Sequence, residues 1–232
     1  MERALTTIIT PWQNPASLTR WLVVTAVLVL PMATWFNSIG SPFTYFHYDL
    51  PPGQVPYILA KLAGLYAFVL LWLQVMFGLL KGDPWGCYLL PRWSMGCHRM
   101  LGIATLLTAW MHFLCFFAAV SIRKDTIAYD LLLPEFEKGI YFFAVSLGWF
   151  SLAGLSLVAL AGLLRAKTQG IWVLAHRLSL GVFVVALVHA QMVGSEAKSG
   201  IWFFIHLLFA VAVLVALVRR FVLPSGERDA EY

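Results

Sequence analysis

The chain has 232 residues, of which 61% are hydrophobic and only 12% are charged. Soluble domains carry about twice as many charged residues, so this composition indicates an integral membrane protein and leaves no room for a separate soluble domain. The formal net charge of +5 does not indicate nucleic-acid binding, because the basic residues lie beside hydrophobic runs, where they anchor and orient membrane helices.

In chain order, the hydrophobic runs predict an all-α bundle of six membrane-spanning helices. Each run has about the 17–25 residues that a crossing helix needs. Pro31 lies in the first run, where a kink is expected, and Lys61 lies near the start of the second, where its ammonium is expected to snorkel to the membrane surface. The predicted spans lie near residues 20–37, 57–80, 98–120, 140–164, 172–193 and 200–222.

These spans define one transmembrane domain, residues 20–222, between an N-terminal segment, 1–19, and a C-terminal tail, 223–232. The distribution of lysine and arginine predicts how the domain sits in the membrane. One side carries Arg3, Arg20, Lys81, Arg92, Arg99, Arg165, Lys167, Arg177, Arg219, Arg220 and Arg228. The other side carries Arg123, Lys124, Lys138 and Lys198, together with most of the acidic residues. The positive-inside rule then predicts that both termini are cytoplasmic and that spans three and five both run outward.

Four of the six histidines fall in two pairs, one pair on the third span and one on the fifth. His98 and His112 are fourteen residues apart, and His176 and His189 are thirteen apart. At about 1.5 Å of rise per residue, both separations correspond to about 20 Å along a helix. Because the two spans are parallel, we expect His98 to lie level with His176, and His112 with His189. Ionisable residues inside a membrane often mark a functional site, although a single histidine is equally well explained as an interhelical contact.

The angular positions of these histidines match less well than their heights. On an ideal helix, His98 and His112 return to within about 40° of one face, whereas His176 and His189 differ by about 140°. We therefore expect a bulge, a kink or a loosely wound first turn near Arg177 to bring His176 into line.

Two facing imidazoles can fill both axial positions of a haem iron. The pattern therefore predicts two b-type haems, one ligated by His98 and His176 near the cytoplasmic face and one by His112 and His189 toward the outer face. Because this ligation leaves no open position on the iron, it favours electron transfer over ligand chemistry.

Other residues near the predicted haems have two interpretations each. Arg99 and Arg177 directly follow the inner histidines and either pair with haem propionates or serve as ordinary positive-inside anchors. His206, in the sixth span, is either an interhelical contact, a hydrogen-bond donor to a haem edge or an alternative ligand. His47, in the first outer loop, receives no role. Four glycines either admit a flat macrocycle or allow close helix contacts: Gly102, Gly148, Gly154 and Gly181.

The pattern H-x13-H on one span and H-x12-H two spans later resembles the ferric reductase-like transmembrane domain family. This family includes eukaryotic ferric reductases, NADPH oxidases and the haem membrane subunit of the bacterial periplasmic methionine sulfoxide reductase system. The likeness covers about residues 57–222, and the stretch HRMLGIATLLTAWMH is similar to the corresponding helix of the sulfoxide reductase subunit. That subunit lacks the inner histidine, so His98 places this chain nearer the two-haem members. The resemblance implies that the four histidines ligate two stacked haems, and that electrons pass from a cytoplasmic flavin to an outer acceptor.

One departure from the family concerns the electron donor. Larger members continue into FAD- and NADPH-binding domains, whereas this sequence ends at RRFVLPSGERDAEY without a G-x-G-x-x-G fingerprint. FAD or FMN is therefore expected only on a partner, such as a cytoplasmic flavin reductase, with a membrane quinol or another donor subunit as the other candidates. The predicted protein is an electron-transfer subunit of an oxidoreductase in a bacterial inner membrane, with ferric iron or a periplasmic redox partner as acceptor.

Two other functions stay open. A helical scaffold or transporter subunit could use the histidines to relay protons or to hold helices together, but it does not need their paired register. A quinol-linked cytochrome of the b561 type is the second alternative, although ligands on the third and fifth of six spans fit that type less well.

Overall fold

The computed structural model describes residues 15–37, 50–81, 95–164, 167, 169–198 and 200–222, with the backbone alone described at 15–24, 95–97 and 169. Over these residues the protein is helical and contains no β-strand. The helices are α1 (Pro15–Asn37), α2 (Gln54–Leu80), α3 (Met95–Lys124), α4 (Ile140–Leu163), α5 (Gln169–Val193) and α6 (Gly200–Val222), with a short 3₁₀ turn at Tyr129–Leu131 between α3 and α4.

Five helices, α2 to α6, are long and apolar enough to cross a membrane. This result confirms the all-α membrane fold. The first helix begins at Pro15, inside the predicted N-terminal segment, and its apolar stretch among the described side chains, Thr25–Asn37, is shorter than a span. The third helix extends to Lys124 rather than ending near 120, because Arg123 and Lys124 in its last turn interact favourably with the helix dipole. Residues 1–14, His47 and 223–232 lie outside the described residues.

The helix α2 lies at the centre of the bundle. It packs against α1, α3, α5 and α6, whereas α4 packs mainly against α5. Its buried apolar residues run along almost its whole length, from Ile58 to Leu80. Outward-facing side chains on the surrounding helices, such as Met100, Leu174 and Phe221, are largely exposed, as expected for helices that face lipid. The two closest helix pairs are the consecutive hairpins α2–α3 and α4–α5.

The two ends of the bundle differ in charge. Arg99, Arg177 and Arg220 lie at the end where α3 and α5 begin, which we call the arginine end. The loop 125–139 and the turn 194–198 lie at the other end, which we call the acidic end. Two lysines at the acidic end form ion pairs of 2.7 Å, Lys124 with Asp130 and Lys138 with Glu135. The hydrogen bond from Lys124 also lowers the pKa of the Asp130 carboxyl.

Pro31 is buried within α1, and the helix continues through it. Neighbouring polar groups tie this part of α1 to α2: the Tyr66 hydroxyl donates a 2.8 Å hydrogen bond to the Leu28 carbonyl, and the Trp35 indole donates one of 2.9 Å to the Ile58 carbonyl. Membrane helices tolerate proline where neighbours satisfy nearby backbone groups in this way.

Gly53, the residue before α2, occupies a position that requires glycine. Its φ of 73° is left-handed, and an added Cβ would collide with the Ala119 carbonyl oxygen on α3. We expect Gly53→Ala to lower the free energy of unfolding by about 1–3 kcal/mol, measured by thermal denaturation in detergent with far-UV circular dichroism. The matched control is Gly78→Ala in α2, where no described atom lies within 4 Å and helix propensity should raise stability slightly. Equal melting of the two variants would contradict this account.

Candidate functional site

Two pairs of histidine rings face each other between α3 and α5, which make few close contacts of their own. The ring centres of His98 and His176 are 5.9 Å apart, and those of His112 and His189 are 6.4 Å apart. The planes of the rings meet at 76° in both pairs. The structure therefore brings the four histidines together in the two pairs that the sequence spacing suggested.

The helix that carries His176 and His189 contains neither a bulge nor a loosely wound turn. The backbone is α-helical throughout Gln169–Val193, so the prediction of a bulge or a loosely wound turn near Arg177 was wrong. His189 reaches toward α4, whereas His176 lies flat against Trp172, with ring centres 5.3 Å apart and planes 15° from parallel.

A backbone carbonyl anchors each ring of the His112–His189 pair. His112 Nδ1 lies 2.7 Å from the Ala60 carbonyl oxygen on α2, and His189 Nδ1 lies 2.7 Å from the Ala144 carbonyl oxygen on α4. Since a carbonyl can only accept, each Nδ1 carries the proton and each Nε2 keeps a free lone pair. Among the described residues, neither Nε2 has a hydrogen-bond partner.

A glycine one turn further along makes room for each of these rings. A Cβ added at Gly64 would lie 2.8 Å from His112 Nδ1, and one added at Gly148 would lie 2.5 Å from His189 Cε1. Any larger residue at either position would have to push the histidine ring away from the carbonyl that anchors it.

The two hairpins thus repeat one structural unit. The first helix of each supplies an alanine carbonyl and, four residues later, a glycine, in the sequences AKLAG at 60–64 and AVSLG at 144–148. The second helix supplies the histidine ring. Sequence reasoning missed Ala60, Gly64 and Ala144, although the A-x3-G spacing of one helical turn was a readable signal.

The other three glycines singled out from the sequence do not contact a histidine ring. An added Cβ at Gly102 would meet the Gln74 amide at 3.2 Å, and one at Gly154 would meet Val182 at 2.8 Å, as in a close helix contact. Gly181 faces open space within the described part of the chain.

The His98–His176 pair is supported differently. The His98 ring stacks on Phe77, and its Nε2 lies 3.2 Å from the Gln74 side-chain nitrogen. His98 Nδ1 and Gln74 Oε1 are buried without a hydrogen-bond partner among the described residues. Aromatic faces and one amide, rather than backbone carbonyls, therefore position this pair.

Arg99 and Arg177 each lie one residue beyond a histidine of this pair, and both are exposed at the arginine end. Neither forms an ion pair with any residue that the structure describes. Their role toward a haem propionate stays a prediction.

A cavity of about 430 Å³ opens beside the His112–His189 pair. This volume lies within the range of about 300–1,000 Å³ that is typical of ligand sites. His206 lines the same cavity from α6; its ring is almost fully buried, meets Phe68 edge-on with centres 4.3 Å apart, and has an Nδ1 without a partner in the described structure. Polar side chains gather at the acidic end of the cavity, among them Tyr57, Lys61, Arg123, Tyr141 and Glu196.

The spacing of the rings fits one metal ion between the members of each pair. Two metal–nitrogen bonds of about 2.0–2.1 Å, with about 1.1 Å added for each ring radius, place the ring centres about 6.2–6.4 Å apart. The observed distances are 5.9 and 6.4 Å. Two facing imidazoles are also the axial donor set of a six-coordinate haem iron, whose remaining positions the macrocycle fills. The spacing of the ring centres at both levels therefore suits haem, and at the His112–His189 level both Nε2 lone pairs are available.

The site as a whole consists of two histidine levels, the repeated carbonyl and glycine units beside one of them, and a largely apolar cavity with a charged end. No group of three or more His, Cys, Asp or Glu side chains among the described residues is arranged to hold a metal ion alone. No family model, curated protein or solved structure matches this chain.

Proposed function

We propose that this chain is a membrane cytochrome that holds two b-type haems and carries electrons across the bilayer as a subunit of an oxidoreductase. The spacing of the histidine pairs, 5.9 and 6.4 Å between ring centres, carries the proposal because it suits axial ligation of iron from both sides. Haem held by these four histidines would supply one-electron transfer chemistry.

The chain's own residues bind and orient the cofactor. His112 and His189 would ligate the haem iron through Nε2. Their Nδ1–H groups donate hydrogen bonds to the Ala60 and Ala144 carbonyls, which holds each ring in place and makes it a stronger ligand. The apolar residues around the cavity exclude water, which makes the site sensitive to the few charges near it.

We also propose that α1 completes a set of six spans and that both termini are cytoplasmic. The charge difference between the two ends supports this orientation, because arginines gather at one end while Lys124 and Lys138 at the other are paired with carboxylates. The His98–His176 level then faces the cytoplasm of a bacterial cell. A flavin-carrying reductase is the proposed donor, and ferric iron or a periplasmic redox protein is the proposed acceptor.

Pyridine haemochrome quantitation and dithionite-reduced spectra of the purified full chain test this proposal. We expect two b-type haems per chain, with the spectrum of six-coordinate, low-spin iron. A well-folded protein purified without haem from a haem-replete host would refute the proposal and favour a scaffold or transporter subunit.

A further inference from the structure

The cavity beside His112 and His189 is charged at one end only. Lys61, Arg123 and Glu196 line it at the acidic end, and no other described lining residue is a lysine, arginine or carboxylate. Among the described lining residues, two cations therefore stand against one carboxylate, an excess of one positive charge. A ligand that complements this cavity is largely apolar and carries its negative groups along one edge.

Lys61 lies on the wall that positions His112. It directly follows Ala60, whose carbonyl accepts the hydrogen bond from His112, and its ammonium forms a 2.7 Å ion pair with Glu196. Glu196 follows the end of α5, the helix that carries His189. The ion pair therefore joins α2, whose Ala60 carbonyl anchors His112, to the turn that follows the helix of His189.

The Lys61–Glu196 pair is also poorly hydrated. The two side chains are only 12% and 19% exposed. Charges taken out of water are stabilised only when further polar groups compensate for the lost hydration. The Ser195 hydroxyl, which donates a 3.0 Å hydrogen bond to Glu196, is one such group, and a carboxylate that enters the cavity beside Lys61 would be another.

Arg123 supplies the second cation. Its guanidinium donates a 2.6 Å hydrogen bond to Gln54 and lies 4.6 Å from the centre of the Tyr57 ring. No carboxylate of the described residues pairs with it. Since guanidinium groups bind carboxylates through two parallel hydrogen bonds, Arg123 is suited to an anionic group that enters the cavity.

We infer that Lys61 and Arg123 bind the two carboxylates of the haem that His112 and His189 ligate, so that the acidic edge of the macrocycle faces the acidic end of the bundle. This inference rests on the proposed function. The charged end of the cavity then sets the orientation of the haem, and Glu196 is an internal carboxylate that competes for Lys61.

Redox titration of the full chain tests the inference, with the transition that disappears in His112→Ala assigned to this haem. Reduction adds negative charge at the iron, so a nearby cation favours the reduced form. We expect Lys61→Met and Arg123→Met each to lower the equilibrium constant for reduction about tenfold, which corresponds to about 59 mV for one electron. Loss of this haem from either variant, with an unchanged far-UV spectrum, supports the inference equally.

Matched variants separate carboxylate binding from a structural role. Glu196→Gln removes the competing carboxylate, so it should raise the potential of this haem, whereas Lys61→Met lowers it. If the ion pair has only a structural role, the two variants should behave alike. Lys61→Arg should keep the equilibrium constant for reduction within twofold of the wild-type value. Lys124→Met removes a lysine at the same end that does not line the cavity, and should have no effect.

Two negative results are distinguishable. A wild-type chain without haem refutes the proposed function. A different pattern refutes only this inference: the wild-type chain binds the haem, His112→Ala loses it, and its potential is unchanged in both Lys61→Met and Arg123→Met. Arg123→Met remains informative if Lys61→Met does not fold, because replacing Arg123 leaves no described carboxylate without its partner.

Discussion

Replacing His189 with alanine is expected to halve the haem content of the purified chain. Among the described residues, His189 is one of the two histidine rings that face each other at its level, with a centre 6.4 Å from that of His112. Without it, iron at this level keeps a single protein ligand, whereas the His98–His176 level keeps both. Pyridine haemochrome quantitation should show the loss, and any haem that stays at the altered level should become high-spin.

His206→Gln is the matched control for this variant. His206 is another buried histidine that lines the same cavity, but it lies on α6 and stands edge-on to Phe68 rather than facing a second imidazole. This control should keep the full haem content. The opposite pattern, with haem lost from His206→Gln and retained in His189→Ala, would assign the ligand to α6 and contradict the proposed pairing.

The spans were predictable because bilayer thickness fixes the length of a crossing helix. The fourth and sixth spans, predicted at 140–164 and 200–222, are found at Ile140–Leu163 and Gly200–Val222. The start of α1 was less predictable. Residues before Trp21 are only mildly polar, so hydropathy does not mark the helix start at Pro15.

The histidine levels could be predicted because axial rise depends only on residue count. The supporting contacts could not be predicted, since they join different helices. The Ala60 carbonyl meets His112, which is 52 residues later, and the Ala144 carbonyl meets His189, which is 45 residues later. The predicted bulge in α5 was also not needed. The direction in which each histidine side chain points depends on its partners on other helices, which the residue count does not reveal.

Lys61 shows the same limit for charged groups. From the sequence alone, its position near the start of α2 predicted a lysine that reaches the membrane surface. In the structure its ammonium pairs with Glu196, in the turn beyond α5, which is 135 residues away in the chain. Hydropathy reports the cost of placing a charge in a membrane, but it does not identify the residue of opposite charge that offsets it.

Gly148→Ala is expected to disrupt haem binding without replacing any ligand. The added Cβ would lie 2.5 Å from Cε1, 2.8 Å from Nδ1 and 3.0 Å from Nε2 of His189, so the whole edge of the ring stands in its way. The ring cannot move aside and keep its hydrogen bond to Ala144. We expect the haem content to fall toward half, with loss of the low-spin spectrum at this level.

Gly162→Ala in the same helix is the control, because nothing lies within 4 Å of that position in the described structure. It should keep both haems and gain up to about 1 kcal/mol of helix stability. Gly64→Ala tests the equivalent position of the first hairpin, where the added Cβ would lie 2.8 Å from His112. Because Gly64 and Gly148 serve the same level, the double variant should lose no more haem than Gly148→Ala alone. Loss of both haems in the double variant would show that the two hairpins do not share one site.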